Sequence, residues 1–173
     1  MFKQCLAVVA CTVFSGLAWA KPAEVSPVVG ASEPVGTGVL KRLFSKIYQA
    51  ELWTDSRPWS YDAPFALSLT YYWSISGVDL VEKTLTEMRR QSPETADEDA
   101  GFAPILRVAF PDVQDGDRIT AFFDPQKGVS FTYNGKSKGS IDSVAFARRF
   151  FDIWLSPQTS EPELRAQLLG KSL

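Results

Sequence analysis

One stretch, residues 142–155, limits what this chain can fold into more than any other: Asp-Ser-Val-Ala-Phe-Ala-Arg-Arg-Phe-Phe-Asp-Ile-Trp-Leu. At about 100° per residue it gathers Ala145, Arg148, Arg149 and Asp152 into one narrow sector. Val144, Phe146, Phe150, Phe151, Ile153, Trp154 and Leu155 surround the rest of the cylinder. A surface helix needs an apolar stripe only a little over about 100° wide. One this wide has to be covered on two sides, by a sheet and a second helix, and so sits at the centre of an α+β domain. Asp142 is its expected N-cap, and Ser156-Pro157 breaks it.

The rest of the chain supplies the layers. Residues 39–53 alternate, with Phe44, Lys46, Tyr48, Ala50 and Leu52 on one side, and predict one long strand with a covered face. Lys46 is the odd member of that face: it either snorkels out at an edge or points its ammonium into a cavity. Residues 65–75 predict a second strand, with Leu67, Leu69, Tyr71 and Trp73 facing one way. Ser76-Gly-Val-Asp79 has capping-box spacing and opens a helix to about residue 91, its apolar positions Val78, Val81, Leu85 and Met88, its far face Lys83, Glu87 and Arg90. The acidic run 93–101 reads as a solvated loop or acidic helix start, and 102–110 as a short helix stopped by Pro111. Strands at 118–123 and 129–133 follow, then the hairpin signal Asn134-Gly135 and a last short strand. Ser160 caps a final helix, residues 161–169, ending at Gly170.

Residues 1–20 read as a secretory signal: Lys3, an apolar run over 6–17, and Ala18-Trp19-Ala20 before Lys21. A retained membrane helix and a lipoprotein signal at Cys11 are the alternatives, the run being short for a span. Residues 21–36, with Pro22, Pro27 and Pro34, form a linker or early edge strand, and 37–173 the domain. Gly36-Thr37-Gly38 lacks the third glycine of a dinucleotide loop and is a flexible strand start. The chain has no histidine, and its two cysteines, Cys5 and Cys11, lie inside the signal. That leaves no disulfide, thiol or histidine chemistry, and no metal site or cofactor is expected. A net charge of −2, one unit lower once Lys3 is removed, argues against nucleic acid. Export without cysteines suits a bacterial periplasm, with no membrane span once the signal is gone.

Gly38, Tyr48-Gln49-Ala50-Glu51-Leu52, Gly116-Asp117, Phe146, Ile153-Trp154-Leu155, Leu164-Arg165 and Leu168-Leu169-Gly170, in this order, resemble the chalcone isomerase-like family in its exported bacterial form, over residues 36–170. The resemblance implies an open-faced sandwich, a large antiparallel sheet packed against a layer of helices, with a ligand cleft between them. Plant members are either isomerases that close a flavanone ring or relatives that bind fatty acids.

The isomerases use an arginine, a threonine, a tyrosine with a lysine three positions later, and an asparagine one turn further. Laid on this chain, the lysine's place is kept by Lys83, while Leu80 stands for the tyrosine and Glu87 for the asparagine. Tyr48 falls near the threonine, and Arg42 is the nearest candidate for the arginine. The arginine and tyrosine with which the fatty-acid relatives hold a carboxylate fall near Leu67 and at Leu80. Ring closure needs a cation and a donor at the developing enolate, and leucine supplies neither.

The expectation is therefore a non-catalytic, periplasmic binder of a small apolar or amphipathic ligand such as a fatty acid. Its candidate ligand-binding residues are Lys46, Tyr48, Tyr71, Trp73, Lys83 and Arg107. The alternatives are an isomerase with Lys46 or Lys83 as cation and Tyr48 as acid, and a structural domain that contacts another exported protein, for which the sequence names no partner.

Overall fold

A computed structural model describes residues 21–171, so the signal, with Cys5 and Cys11, lies outside the described residues. Six strands form one antiparallel sheet in sequence order: β1 (Gly36–Arg42), β2 (Ser45–Trp53), β3 (Phe65–Tyr71), β4 (Arg118–Asp124), β5 (Gly128–Tyr133) and β6 (Lys136–Ile141). The helices are α1 (Gly77–Gln91), α2 (Ala96–Gly101) after a 3-10 turn at Pro93–Thr95, α3 (Ala103–Ala109), α4 (Val144–Leu155) and α5 (Pro162–Leu168).

The helix over 142–155 is where the periodicity puts it. Phe146, Phe150, Phe151, Ile153, Trp154 and Leu155 are buried while Ala145 and Arg148 face water. Its cover is β5 on one side and α1 and α5 on the others. The cap is Ser143 rather than Asp142: Ser143 has extended backbone and its Oγ accepts from the Phe146 amide at 3.2 Å. At α1 the expected box forms, with Ser76 Oγ accepting from Asp79 N and donating to its carboxylate at 2.7 Å. Val78 is exposed, however, and Glu87, expected on the solvent face, is only 6% exposed.

The long strand over 39–53 is two strands. The chain reverses in the two-residue loop Leu43-Phe44, pairing Arg42 with Ser45, with Leu43 at φ 54°. Neither residue belongs to the set that favours such turns, so sequence pattern alone ran through them. Farther in, Leu40 pairs with Tyr48 but Lys41 with Lys46, leaving Ile47 as an extra residue on β2. This bulge inverts the alternation beyond it. As a result Phe44 and Lys46 leave the covered face. The second strand likewise stops at Tyr71 rather than 75, and Trp73 is 54% exposed. The hairpin at Asn134-Gly135 forms as expected, both residues at positive φ.

Residues 21–31 are neither linker nor edge strand. They make a strap of turns across the sheet's outer face, where Val25 and Val29 pack with Trp53, Ala66 and Phe122 in a second small core. Glu24 fixes it, accepting from Arg118 Nε at 2.8 Å and Thr120 Oγ1 at 3.2 Å, and Asp55 accepts from Gly30 N at 2.8 Å. α5 lies on β1 because Gly36 and Gly38 leave room for it: a Cβ on Gly36 would stand 2.0 Å from the Gln167 carbonyl oxygen, and one on Gly38 2.5 Å from Leu164 Cδ1. Gly170, at φ 67°, ends α5 as expected. Its start is uncapped by any side chain: Glu161 holds the N-cap position and Ser160 is directed elsewhere. Among the described residues no helix is long and apolar enough to cross a membrane.

Candidate functional site

Between the sheet's inner face and the helices lies a cavity of about 370 Å³, within the range of small-molecule sites. Its floor is Leu67, Leu69, Ile119 and Ala121, and its roof is Leu80 of α1 with Ile153 and Trp154 of α4. The space exists because β4 places a small residue, Ala121, between Ile119 and Phe123 on that face. A second hollow, of about 390 Å³ at the β4–β5 end, is lined by Asp124, Lys127 and Asp142 among others and lacks such an apolar enclosure.

Two phenols stand on the floor. Tyr48 and Tyr71 are direct cross-strand partners, their rings 5.9 Å apart and edge to face. Trp154 Nε1 donates to Tyr48 Oη at 2.9 Å, which fixes that ring while leaving its proton to donate. The Tyr71 hydroxyl has no hydrogen-bond partner among the described residues although the residue is 4% exposed. Burial pushes both phenols up from their ordinary value, so both are neutral O–H donors at any physiological pH. With Tyr71 lining the cavity, an acceptor on a bound molecule can take that hydrogen bond.

The mouth is charged but internally paired. Glu87 accepts from Lys83 Nζ at 2.7 Å, Arg90 Nε at 2.9 Å and Ser160 Oγ at 3.1 Å. Arg42, at the end of β1, pairs with Glu161 before α5, and that hydrogen bond holds its guanidinium above its ordinary value. Arg42, Asp79, Lys83 and Ser160 are exposed and line the cavity, so it opens to solvent between β1, α1 and the start of α5. Burial alone would raise the Glu87 carboxyl, but hydrogen bonds from Lys83, Arg90 and Ser160 outweigh it and hold it below the usual range. A carboxyl depressed on folding contributes stability above its unfolded value and loses it as pH falls through the folded one. Glu87→Gln is thus expected to cost about 1 kcal/mol near pH 7. Urea unfolding of the two proteins should converge as pH is lowered from about 5 toward 2; a gap independent of pH would show that the carboxylate's charge is not what matters.

Of the six residues picked from sequence, the structure brings Tyr48, Tyr71 and Lys83 to one cavity. Lys46 lies outside it, its Nζ 5.9 Å from the Tyr72 ring centroid, because of the bulge at Ile47. Trp73 follows the strand's end into solvent, and Arg107 is exposed on α3, away from the cavity. Leu67 and Leu80, where the fatty-acid relatives are expected to carry their arginine and tyrosine, both line the cavity and make that part wholly apolar. Sequence reasoning missed Trp154, Ser160 and Glu161, and treated Glu87 as solvated. The sequence signals for the mouth were Lys83 and Arg42, and seeing the role of Arg42 required the turn at Leu43-Phe44.

The fold has solved counterparts. The crystal structure of a fatty-acid binding protein of Arabidopsis thaliana superposes with a TM-score of 0.60 at 14% identity, over 79% of this chain and 86% of that one. At that identity the likeness speaks for the fold alone, an open-faced antiparallel sheet with its helix layer. No match arises among curated protein sequences. A family profile described as chalcone isomerase-like matches residues 35–170, from the start of β1 to the glycine that ends α5. With sheet, helix layer and intervening cavity all inside that span, the chain belongs to the chalcone isomerase-like family.

Proposed function

We propose that this protein is a non-catalytic carrier of one small apolar or amphipathic molecule, working in the periplasm after export through residues 1–20. The observation that carries the reading is the apolar cavity lined by Tyr71, whose hydroxyl has no hydrogen-bond partner among the described residues. A fatty acid fits this description, a chain against Leu67, Leu69, Leu80 and Ile153 and an acceptor oxygen at the phenols. The Arabidopsis neighbour's name supports that class. Export is supported by the charge and apolar pattern of residues 1–20 and by the lack of cysteine after them.

Proton-transfer chemistry finds less support. A general acid works best with its pKa near the operating pH, yet both phenols are pushed up and the Lys83 ammonium is engaged by Glu87. A purely structural domain would not need the cavity.

Protein recovered from its own host, denatured and extracted, should release one dominant class of lipid-like molecule at near one equivalent on mass spectrometry. Empty protein that also fails to take up a fluorescent fatty acid would sink the reading. Tyr71→Phe should weaken uptake of that probe about five- to tenfold, ~1–1.5 kcal/mol, at unchanged thermal stability.

A further inference from the structure

The loop joining β1 to β2 breaks three local rules at once. Leu43 sits at φ 54°, a left-handed conformation costly for a bulky side chain, where glycine, asparagine or aspartate is the usual choice. Leu43 is 96% exposed and Phe44 103%, so two large apolar side chains stand side by side in water. Behind them Lys41 and Lys46 are direct cross-strand partners, and like charges placed so repel. A fold gains nothing from any of these. Each becomes favourable against a surface that is greasy inside and negative outside.

We propose that the tip of the β1–β2 hairpin is a membrane wedge, which inserts Leu43 and Phe44 into a bilayer and lays Lys41 and Lys46 on its anionic headgroups. Trp73 joins the same end of the molecule. The Tyr72 amide bonds to the Ile47 carbonyl at 2.9 Å, which brings the residue after it out beside the hairpin, 54% exposed, with the headgroup-level chemistry of an interfacial indole. Arg42, the remaining cation of the tip, is held by Glu161 and belongs to the cavity mouth. Leu40 and Ile47, three residues behind the tip on either strand, line the cavity. Docking therefore sets the mouth against the lipid surface, and a carried apolar molecule can pass between them without crossing water. The docking stands by itself; only this purpose rests on the carrier reading. A protein groove is the less suitable partner, because a two-residue tip ringed by cations offers little area for specific packing.

The test is co-sedimentation with vesicles of phosphatidylethanolamine and phosphatidylglycerol, against vesicles of phosphatidylcholine, using protein recovered after export. Parent and variants share one N-terminus, so the comparison isolates the tip. The parent should bind the anionic vesicles preferentially, and less as salt is raised. Phe44→Ser should cut the partition at least about tenfold, and Lys41→Glu with Lys46→Glu should bring it down to that on phosphatidylcholine. Leu43→Gly separates this role from folding: it should raise the melting temperature by relieving the left-handed leucine while weakening vesicle binding. The proposal is overturned if the parent stays in solution with anionic vesicles, if Phe44→Ser sediments like the parent, or if the tip instead captures a protein whose binding Phe44→Ser abolishes. Fatty-acid uptake measured without vesicles should be unchanged in Phe44→Ser, so failure of docking and failure of the carrier reading are told apart.

Discussion

Ala121→Phe is expected to abolish uptake of a fatty-acid probe while leaving a folded protein. Ala121 lies on β4 opposite Leu67 of β3 and Phe131 of β5, and its methyl group forms part of the cavity floor. A ring grown from that Cβ enters the space a ligand would take. Affinity should fall more than about a hundredfold, ~2.7 kcal/mol. Because the added atoms fill an existing void rather than a packed core, stability should move by less than about 1.5 kcal/mol in either direction. Titration with a fluorescent fatty acid, alongside a urea melt, reads both quantities. A folded variant that still takes up the probe with parental affinity would place the ligand outside this cavity.

The second large effect concerns the roof. Asp99 of α2, 2% exposed, accepts from Arg149 Nε of α4 at 3.0 Å and from Thr95 Oγ1 at 3.1 Å. The pair ties the arm 93–109 to the central helix, and that arm brings Phe110 to the cavity wall and Phe102 to within 4.6 Å of Phe146, centroid to centroid. Arg149→Ala leaves a buried carboxylate with a single hydroxyl for company, a change that costs about 3–5 kcal/mol. At this chain length that corresponds to a melting temperature lower by roughly 6–20 °C. Replacing both partners, Asp99→Leu with Arg149→Met, should recover most of the loss, since two apolar side chains leave no buried charge behind. If calorimetry finds Arg149→Ala within about 1 kcal/mol of the parent, the pair is only a solvated surface contact.

The fold was readable wherever local chemistry and tertiary role agree. The helix 144–155, the box at Ser76, the Asn134-Gly135 turn and the Gly170 stop each have a mechanism that acts within a few residues. It was unreadable where the chain departs from its own preferences. Leu43-Phe44 turns without turn residues, and Ile47 adds one residue to a strand, so alternation counted from Tyr48 backward put Lys46 and Phe44 on the wrong face. The site followed the same division. Tyr48 and Tyr71 share a parity within regular strands and were placed together correctly, while Lys46 and Trp73 lie beyond a bulge and a strand end. Glu87 repeats with Lys83 and Arg90 at helical spacing, which looks like any solvated face. Only the loop before α5, folding back to bring Ser160 to its carboxylate, reveals it as buried, and no local pattern announces a contact between residues so far apart.

The contact between α5 and β1 joins the first strand of the sheet to the last of the described helices. Gly36 and Gly38 are made early, yet the surface they offer stays bare until Leu164 and Leu168, both buried, are in place over it. The interior therefore stays open at this edge of the sheet until residues 164–168 are in place. Two glycines more than a hundred residues upstream thus decide where α5 can seat, and a side chain at either would lift that helix off the edge it closes.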